Sequence, residues 1–155
     1  MKYDPNLMRR AFELAMESEA NGNLPIGALI TDGLHVLSEG HNGVLKPTFH
    51  PGKHAEIDAL SSLRSEDVIR LNELGLYTTL EPCIMCLGSA VLHRVKFIFF
   101  AVEDTDRGAS YVMPGISVRY PQRYLPTILG PMAPEEGRVL FERATSIYRK
   151  VRPAV

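Results

Sequence analysis

Strand-length apolar segments alternate along this chain with segments of helical periodicity, and this alternation restricts the fold more than any other feature. Strands are predicted at residues 26–30, 36–40, 76–80, 95–102 and 125–129, and helices at about 5–21, 53–60, 83–92 and 134–149. The first two strands flank Asp32-Gly33, which favours a β-hairpin. Residues 43–53, 61–73 and 103–121 are predicted connections, the second with a short helical turn. Such alternation is typical of an α/β sandwich with helices on both faces of one sheet.

Length and composition favour one domain over residues 1–155 in a reducing compartment. The chain has ordinary globular composition, with 45% hydrophobic and 23% charged residues, and neither a repeat nor a linker interrupts it. A net charge of −1 excludes a polycationic nucleic-acid coat. Two cysteines are too few for a disulfide scaffold. No apolar run approaches the ~18 residues of a membrane span, and the first residues lack the apolar core of a signal peptide, so we expect a cytoplasmic protein.

Three potential metal ligands stand at two predicted helix starts. His54 begins one helix, and Cys83 and Cys86 lie three residues apart in the first turn of another. Side chains at i and i+3 share a helix face, and the positive end of a helix favours the thiolate form that a metal needs. The His/Cys/Cys set therefore predicts one Zn²⁺ per chain.

The number of ligands indicates a catalytic rather than a structural ion. A structural zinc normally has four protein ligands, whereas a catalytic zinc keeps one position for water. His93 is too far along the helix from Cys86 to bind the same ion, while His41 and His50 stay open as further ligands. Glu56, two residues after His54, is placed to stand beside the water and move its protons as general acid and base. This chemistry suits hydrolytic removal of an amino group from an electron-poor ring carbon.

The spacing of these residues is that of a known signature. His-x-Glu followed by Pro-Cys-x-x-Cys marks the zinc nucleobase deaminases, and this chain carries it as His54-Ala55-Glu56 and Pro82-Cys83-Ile84-Met85-Cys86. The chain thus resembles the cytidine/deoxycytidylate deaminase superfamily, in its cytosine, guanine and tRNA-adenosine deaminase-like branch. Further similarity lies in residues 24–28, 40–42 and 76–81 and spans about residues 4–110.

The resemblance implies both a fold and further site residues. The implied fold is a three-layer α/β/α sandwich with a central mixed five-stranded sheet, a zinc site between two helix N-termini, and commonly a homodimer. It implies that Asn42 hydrogen-bonds the base or sugar of the substrate. The backbone amide of Ala55 and the carbonyl region of Glu81 are implied to hold the edge of the base.

The motif identifies the reaction class but leaves the substrate open. Residues 104–110 resemble a loop of the tRNA-editing enzymes, and residues 119–155 carry a net charge of +4 against −5 for residues 1–118. A basic C-terminal helix with Arg143, Arg149, Lys150 and Arg152 suits a phosphate backbone. However, the chain departs from those enzymes after Ser110, and its overall charge is weak for an RNA-binding protein. We therefore favour a small nucleobase or nucleoside, with the wobble adenosine of tRNA as the alternative.

A catalytically silent zinc-containing binding module is the remaining hypothesis. Glu56 argues against it, because a purely structural zinc does not need this carboxylate. For several other side chains we expect ordinary roles, with Phe49 and His50 possible at the substrate's mouth. We expect Asp104 and Asp106 to be solvated loop residues and Met85 to be a core residue. We expect Tyr111 and Tyr148 to be packing residues, with stacking on a base as the alternative.

Overall fold

Nine principal helices and strands make up the described part of the chain, which covers residues 1–66, 73–112, 115 and 124–151 of a computed structural model. Within these ranges no helix is both long and apolar enough to cross a membrane. In chain order the elements are α1 (Pro5–Ala20), β1 (Gly27–Thr31), β2 (Val36–His41), α2 (Ala55–Ser61), β3 (Leu74–Leu80), α3 (Ile84–Leu92), β4 (Val95–Val102), β5 (Thr127–Leu129) and α4 (Pro134–Val151).

The five strands form one mixed sheet in the order β2-β1-β3-β4-β5. The hairpin pairs β1 with β2 antiparallel, and β1 also pairs antiparallel with β3, whereas β3, β4 and β5 run parallel. Because Leu80 lies opposite Val102 in the register, β3 and β4 end at the same edge of the sheet. The segments that follow these two strands are therefore neighbours.

Alternation along the strands divides the core into two layers. Leu76 packs on one face of the sheet with residues of α2 and α3, while Tyr77 packs on the other face with residues of α1. This is the period-2 pattern of a strand buried on both sides. The α/β/α sandwich with a mixed five-stranded sheet is thus confirmed.

A close approach of backbone to backbone brings α2 onto the sheet. A Cβ atom at Gly40 of β2 would collide with the backbone of Ala55 and Ala59, so only glycine permits this packing distance. The start of α2, where the histidine of the motif lies, is held against β2 for this reason.

Several element boundaries differ from the predicted ones. β5 has three residues rather than five, and residues Ser110–Val112 form a 3₁₀ helix inside the predicted connection at 103–121. Residues 67–72, which are part of the connection 61–73 with its predicted short helical turn, and residues 113–114 and 116–123 lie outside the described ranges. Helices α2 and α3 each begin one residue after a potential metal ligand, so His54 and Cys83 are N-cap residues.

Candidate active site

His54, Cys83 and Cys86 meet at the N-termini of α2 and α3. The Nδ1 atom of His54 lies 3.7 Å from Cys83 Sγ and 3.5 Å from Cys86 Sγ, and the two sulfurs lie 3.7 Å apart. Both cysteines are free thiols. Among the described residues, this trio is the only group of three or more His, Cys, Asp or Glu side chains arranged to hold a metal.

These distances match the edges of a tetrahedral zinc site. With Zn–S of about 2.3 Å and Zn–N of about 2.05 Å, tetrahedral angles separate two sulfurs by about 3.8 Å and a sulfur from a nitrogen by about 3.6 Å. The observed separations of 3.7, 3.7 and 3.5 Å agree with these values to about 0.1 Å. The residues therefore fit a zinc ion held by three protein atoms.

Electrostatics at the two helix ends favour the metal-binding thiolate form of one of the two cysteines, Cys83. The hydrogen bond between the two cysteine side chains lowers the pKa of Cys83 to about 3 and raises the pKa of Cys86. The adjacent Cys83 sulfur raises the pKa of His54. The positive ends of α2 and α3 also favour a thiolate at this place. Of the two sulfurs, that of Cys83 is therefore the one favoured as a thiolate, the form that zinc binds.

Glu56 is a buried carboxyl beside the three ligands. It is 3% exposed and its oxygens do not belong to the ligand trio, although it lines the same cavity. Burial raises the pKa of the Glu56 carboxyl above its ordinary value. A carboxyl with a raised pKa next to a metal site is suited to accept and donate protons near neutral pH.

A cavity of about 310 Å³ opens onto the site. Its volume lies at the small end of the range for ligand pockets. Of the residues predicted for the site, the cavity wall includes five and leaves out two, since Cys86 lies behind it and Ala55 has its side chain in the apolar core. The wall consists of Leu24, Ile26, Asn42, Val44, Pro51, His54, Glu56, Leu80, Glu81, Cys83, Met85, Asp104, Arg107 and Tyr148.

Asn42 is held rigidly at the cavity wall. Its Oδ1 accepts a hydrogen bond from the Val44 N–H at 3.1 Å, and its backbone carbonyl accepts one from the Ser18 hydroxyl at 2.8 Å. Its Oδ1 atom is thus engaged. Its Nδ2 group has no hydrogen-bond partner among the described residues. The Nδ2 group of Asn42 is therefore available to donate to an acceptor on a ligand, which is compatible with the predicted substrate contact.

Glu81 has a different role from Glu56, although both are buried carboxyls of the same cavity. Glu81 Oε1 accepts from the Ser110 N–H at 3.0 Å, and Oε2 accepts from the Asp104 N–H at 3.2 Å. Its side chain therefore ties down the loop after β4. The predicted contribution of Glu81 to substrate binding concerned its carbonyl region, which this side-chain function leaves free.

Three of the ordinary roles expected from the sequence are wrong. Tyr111 is 65% exposed instead of packed. Asp104 is 7% exposed instead of solvated, because its Oδ1 accepts from the N–H groups of Asp106 and Arg107 and so closes a turn. Met85 is 40% exposed and lines the cavity instead of the core. The helical turn that directs Cys86 inward places Met85 on another face of α3.

The remaining histidines lie outside the ligand trio. His41 Nε2 is 2.9 Å from Glu17 Oε2, and the His50 ring accepts from the Gly52 N–H, so neither completes the metal site. His93 Nδ1 lies 2.8 Å from the Ser89 carbonyl in the last turn of α3. Phe49 and His50 are exposed and do not line the cavity.

Sequence reasoning missed Arg107, and for Tyr148 it favoured a packing role over stacking on a base. Both line the cavity, and the guanidinium carbon of Arg107 lies 5.3 Å from the centroid of the Tyr148 ring. Residue periodicity contains no signal for this pair, since the two side chains come from a loop and a distant helix.

Comparisons with known proteins agree with the geometry. The tRNA-specific adenosine deaminase of Haemophilus influenzae is 39% identical over 110 residues, which are 70% of this chain and 63% of that protein. The guanine deaminase of Bacillus subtilis is 37% identical over 101 residues, which are 64% of each chain. This chain therefore spans a little under two thirds of the length of these relatives. Among solved structures, the guanine deaminase from Nitrosomonas europaea superposes with a TM-score of 0.73 at 21% identity, over 94% of this chain and 86% of that one.

A sequence model of one protein family matches about two thirds of the chain. It describes the cytidine and deoxycytidylate deaminase zinc-binding region, and it matches residues 1–102, which include all three ligands and Glu56. With the zinc-compatible trio and the relatives above, the chain belongs to the cytidine and deoxycytidylate deaminase family.

Proposed function

We propose that this chain is a zinc-dependent hydrolytic deaminase that replaces the exocyclic amine of a nucleobase or nucleoside with oxygen and releases ammonia, with residues 1–155 acting as one domain. The observation that carries the proposal is the position of Glu56, a buried carboxyl in the cavity onto which a three-ligand zinc site opens. A fourth protein ligand would leave no place for water at a tetrahedral ion.

His54, Cys83 and Cys86 hold the ion, and Glu56 moves the protons. A zinc ion held by these ligands would lower the pKa of its bound water toward ~7. Glu56 takes a proton from the attacking water and delivers it to the ring nitrogen, while the water oxygen bonds to the ring carbon. It then takes the remaining proton from the new hydroxyl group and passes it to the amine, the carbon–nitrogen bond breaks as the carbonyl forms, and ammonia leaves. The burial of Glu56 suits this exchange, since it raises the pKa of the carboxyl.

The polar groups of the wall would orient the ring. Asn42 offers its Nδ2 group to an acceptor on the base or sugar. The backbone amide of Ala55 and the carbonyl of Glu81 are proposed to hold the edge of the base. Leu24 and Ile26 supply apolar wall against which a flat ring packs.

We favour a free base or nucleoside as the substrate because the cavity is small, at about 310 Å³. The wobble adenosine of tRNA is the second candidate, and the similarity to the Haemophilus influenzae tRNA-specific adenosine deaminase supports it. Of the basic residues of the C-terminal helix, Arg149 and Lys150 are exposed, Arg143 is paired with Glu19, and Arg152 lies outside the described ranges. Two exposed cations are a modest attraction for a phosphate backbone.

A homodimer in a reducing cytoplasm is also proposed. Ile84 and Leu92, two apolar side chains of α3, are 61% and 75% exposed and support an interface at this helix. Light scattering would measure the mass, and a monomer at micromolar concentration would contradict the dimer.

The free thiols of the metal site support a reducing compartment.

The test of the function is an ammonia-release screen. The zinc-loaded chain is incubated with free bases, nucleosides, nucleotides and an anticodon stem-loop RNA, and ammonia is quantified with a coupled dehydrogenase. We expect release from at least one small ring compound, and none after the zinc is removed by a chelator. The absence of release from every substrate would refute the proposal and favour a catalytically silent binding module.

A further inference from the structure

The cavity has an outer wall that comes from two distant parts of the chain. Arg107 belongs to the loop after β4, and Tyr148 belongs to the last turns of α4. The Arg107 guanidinium carbon lies 5.3 Å from the centroid of the Tyr148 ring, within the range of a cation–π contact. Both residues line the cavity that contains His54 and Glu56. We call these two side chains the mouth pair.

The loop that carries Arg107 is fixed to the metal site. Glu81 accepts hydrogen bonds from the N–H groups at both ends of the loop, Asp104 and Ser110. Gly108 pairs in a β-bridge with Cys83, and it has no space for a Cβ atom because the Glu81 carboxylate occupies it. The backbone at Arg107 is therefore held in register with a metal ligand, and only the side chain has freedom to move.

The helix that carries Tyr148 is also fixed. Arg143, one turn earlier on the chain, forms an ion pair with Glu19 of α1, and Gly137 packs directly against Val102 of β4. The ring of Tyr148 is thus brought to the cavity by a docked helix. Arg107 has no carboxylate partner among the described residues, so its guanidinium group is available for the contact with the Tyr148 ring.

We propose that the mouth pair determines substrate size, so that the cavity accepts a free base or nucleoside in preference to the same base inside a polynucleotide. This inference rests on the proposed deaminase function and specifies its substrate class. A base within RNA carries nucleotides on both its 5′ and 3′ sides, and in this proposal the mouth pair occupies space that those flanking nucleotides need. Tyr148 forms the wall, and Arg107 is a positioning residue that holds the ring in place.

The expected effect follows from the contact. A cation–π contact at an exposed site corresponds to about a twofold to fivefold change in an equilibrium constant. Removing Arg107 frees the ring, and removing the ring opens the mouth itself. The direction of the change in RNA use after Arg107→Ala is informative, because loss of a cation ordinarily weakens RNA binding. If the mouth pair excludes RNA, Arg107→Ala improves the use of RNA relative to a small substrate.

The experiment measures a specificity ratio in the zinc-loaded full chain. The ratio divides kcat/KM for the best free base or nucleoside by kcat/KM for the same base at the wobble position of an anticodon stem-loop RNA. We expect a ratio above one in the wild type, a fall of threefold or more in Tyr148→Ala and in Arg107→Ala, and a double variant no lower than Tyr148→Ala alone. Tyr148→Phe is the matched control, which keeps the ring and stays within twofold of wild type.

Each other result has a definite meaning. An unchanged or increased ratio in Arg107→Ala overturns the inference, as does a wild type that prefers the RNA or a Tyr148→Phe variant as altered as Tyr148→Ala. Thermal unfolding and zinc content are measured in every variant, and Arg107 is exposed, so Arg107→Ala remains informative if Tyr148→Ala is unstable. A wild type that releases ammonia with unchanged ratios in the variants refutes only the inference. A wild type that releases none refutes the proposed function.

Discussion

Two buried glutamates line one cavity, and we expect different consequences when each is changed to glutamine. Glu56 is 3% exposed and Glu81 is 2% exposed, and the change to glutamine keeps the size of both side chains. Glu56→Gln removes a proton carrier but no hydrogen bond to another segment of backbone. Glu81→Gln places an NH₂ group where a carboxylate oxygen accepts from the N–H of Ser110 or Asp104.

The magnitudes separate the two variants. General acid–base catalysis contributes about 10²–10⁴-fold, so we expect kcat of Glu56→Gln to fall by about 10³, which is about 4 kcal/mol of activation free energy. For Glu81→Gln we expect a loss of about 1–3 kcal/mol of unfolding free energy, because a buried N–H then faces another donor. In a domain of this size that loss lowers Tm by about 2–12 °C. Glu56→Gln should not lower Tm, since it removes a carboxyl that burial disfavours in its charged form.

The assay combines ammonia release, calorimetric unfolding and elemental analysis on the same preparations. We expect Glu56→Gln to retain zinc and Tm while losing activity, and Glu81→Gln to lose Tm with a loss of kcat at least tenfold smaller. Undiminished kcat in Glu56→Gln would refute the proton-transfer role. Equal losses of kcat in the two variants would refute the distinction between a catalytic carboxyl and a loop-holding one.

Three further changes test the metal site, the packing and the surface charges. Cys86→Ala should lower zinc from about one ion per chain to well under half, as measured by elemental analysis; full zinc would contradict the ligand assignment. Gly40→Ala should cost about 1–3 kcal/mol of unfolding free energy because its Cβ would meet the backbone of α2, whereas Gly88→Ala, exposed in α3 with open space around it, should gain about 0.5–1 kcal/mol. Equal effects in denaturant titrations would contradict this packing. The hydrogen bond from Arg10 lowers the pKa of Glu39. The pair therefore stabilises the fold at pH values above the ordinary pKa of glutamate, and this stabilisation is lost as the pH falls through the lowered pKa of Glu39. The stability difference between wild type and Arg10→Met should therefore shrink from pH 6 to pH 3.

Local spacing was sufficient to predict the ligands. The motif residues are close in sequence: the cysteines stand at i and i+3 after a proline, and the glutamate stands two residues after the histidine. At a helix N-terminus such short separations fix the relative positions of the side chains. The order of strands and helices likewise predicted the α/β/α sandwich, because period-2 and period-3.6 patterns identify which elements bury one or both faces. The sequence could not indicate that Asp104 is buried, since its charge is stabilised by turn N–H groups that form only when the loop folds.

The sequence by itself determined the family and predicted the chemistry, with three zinc ligands and one proton carrier. The tertiary structure decided the surroundings of that chemistry, including the separate functions of Glu56 and Glu81 and the meeting of Arg107 with Tyr148. The physical reason is the range of the interactions. Ligand spacing is set within one helical turn, whereas the cavity wall depends on parallel strands that end at one edge and on a C-terminal helix that docks against α1 and β4. Periodicity identifies the apolar face of a helix, but it does not specify which distant loop that helix will meet.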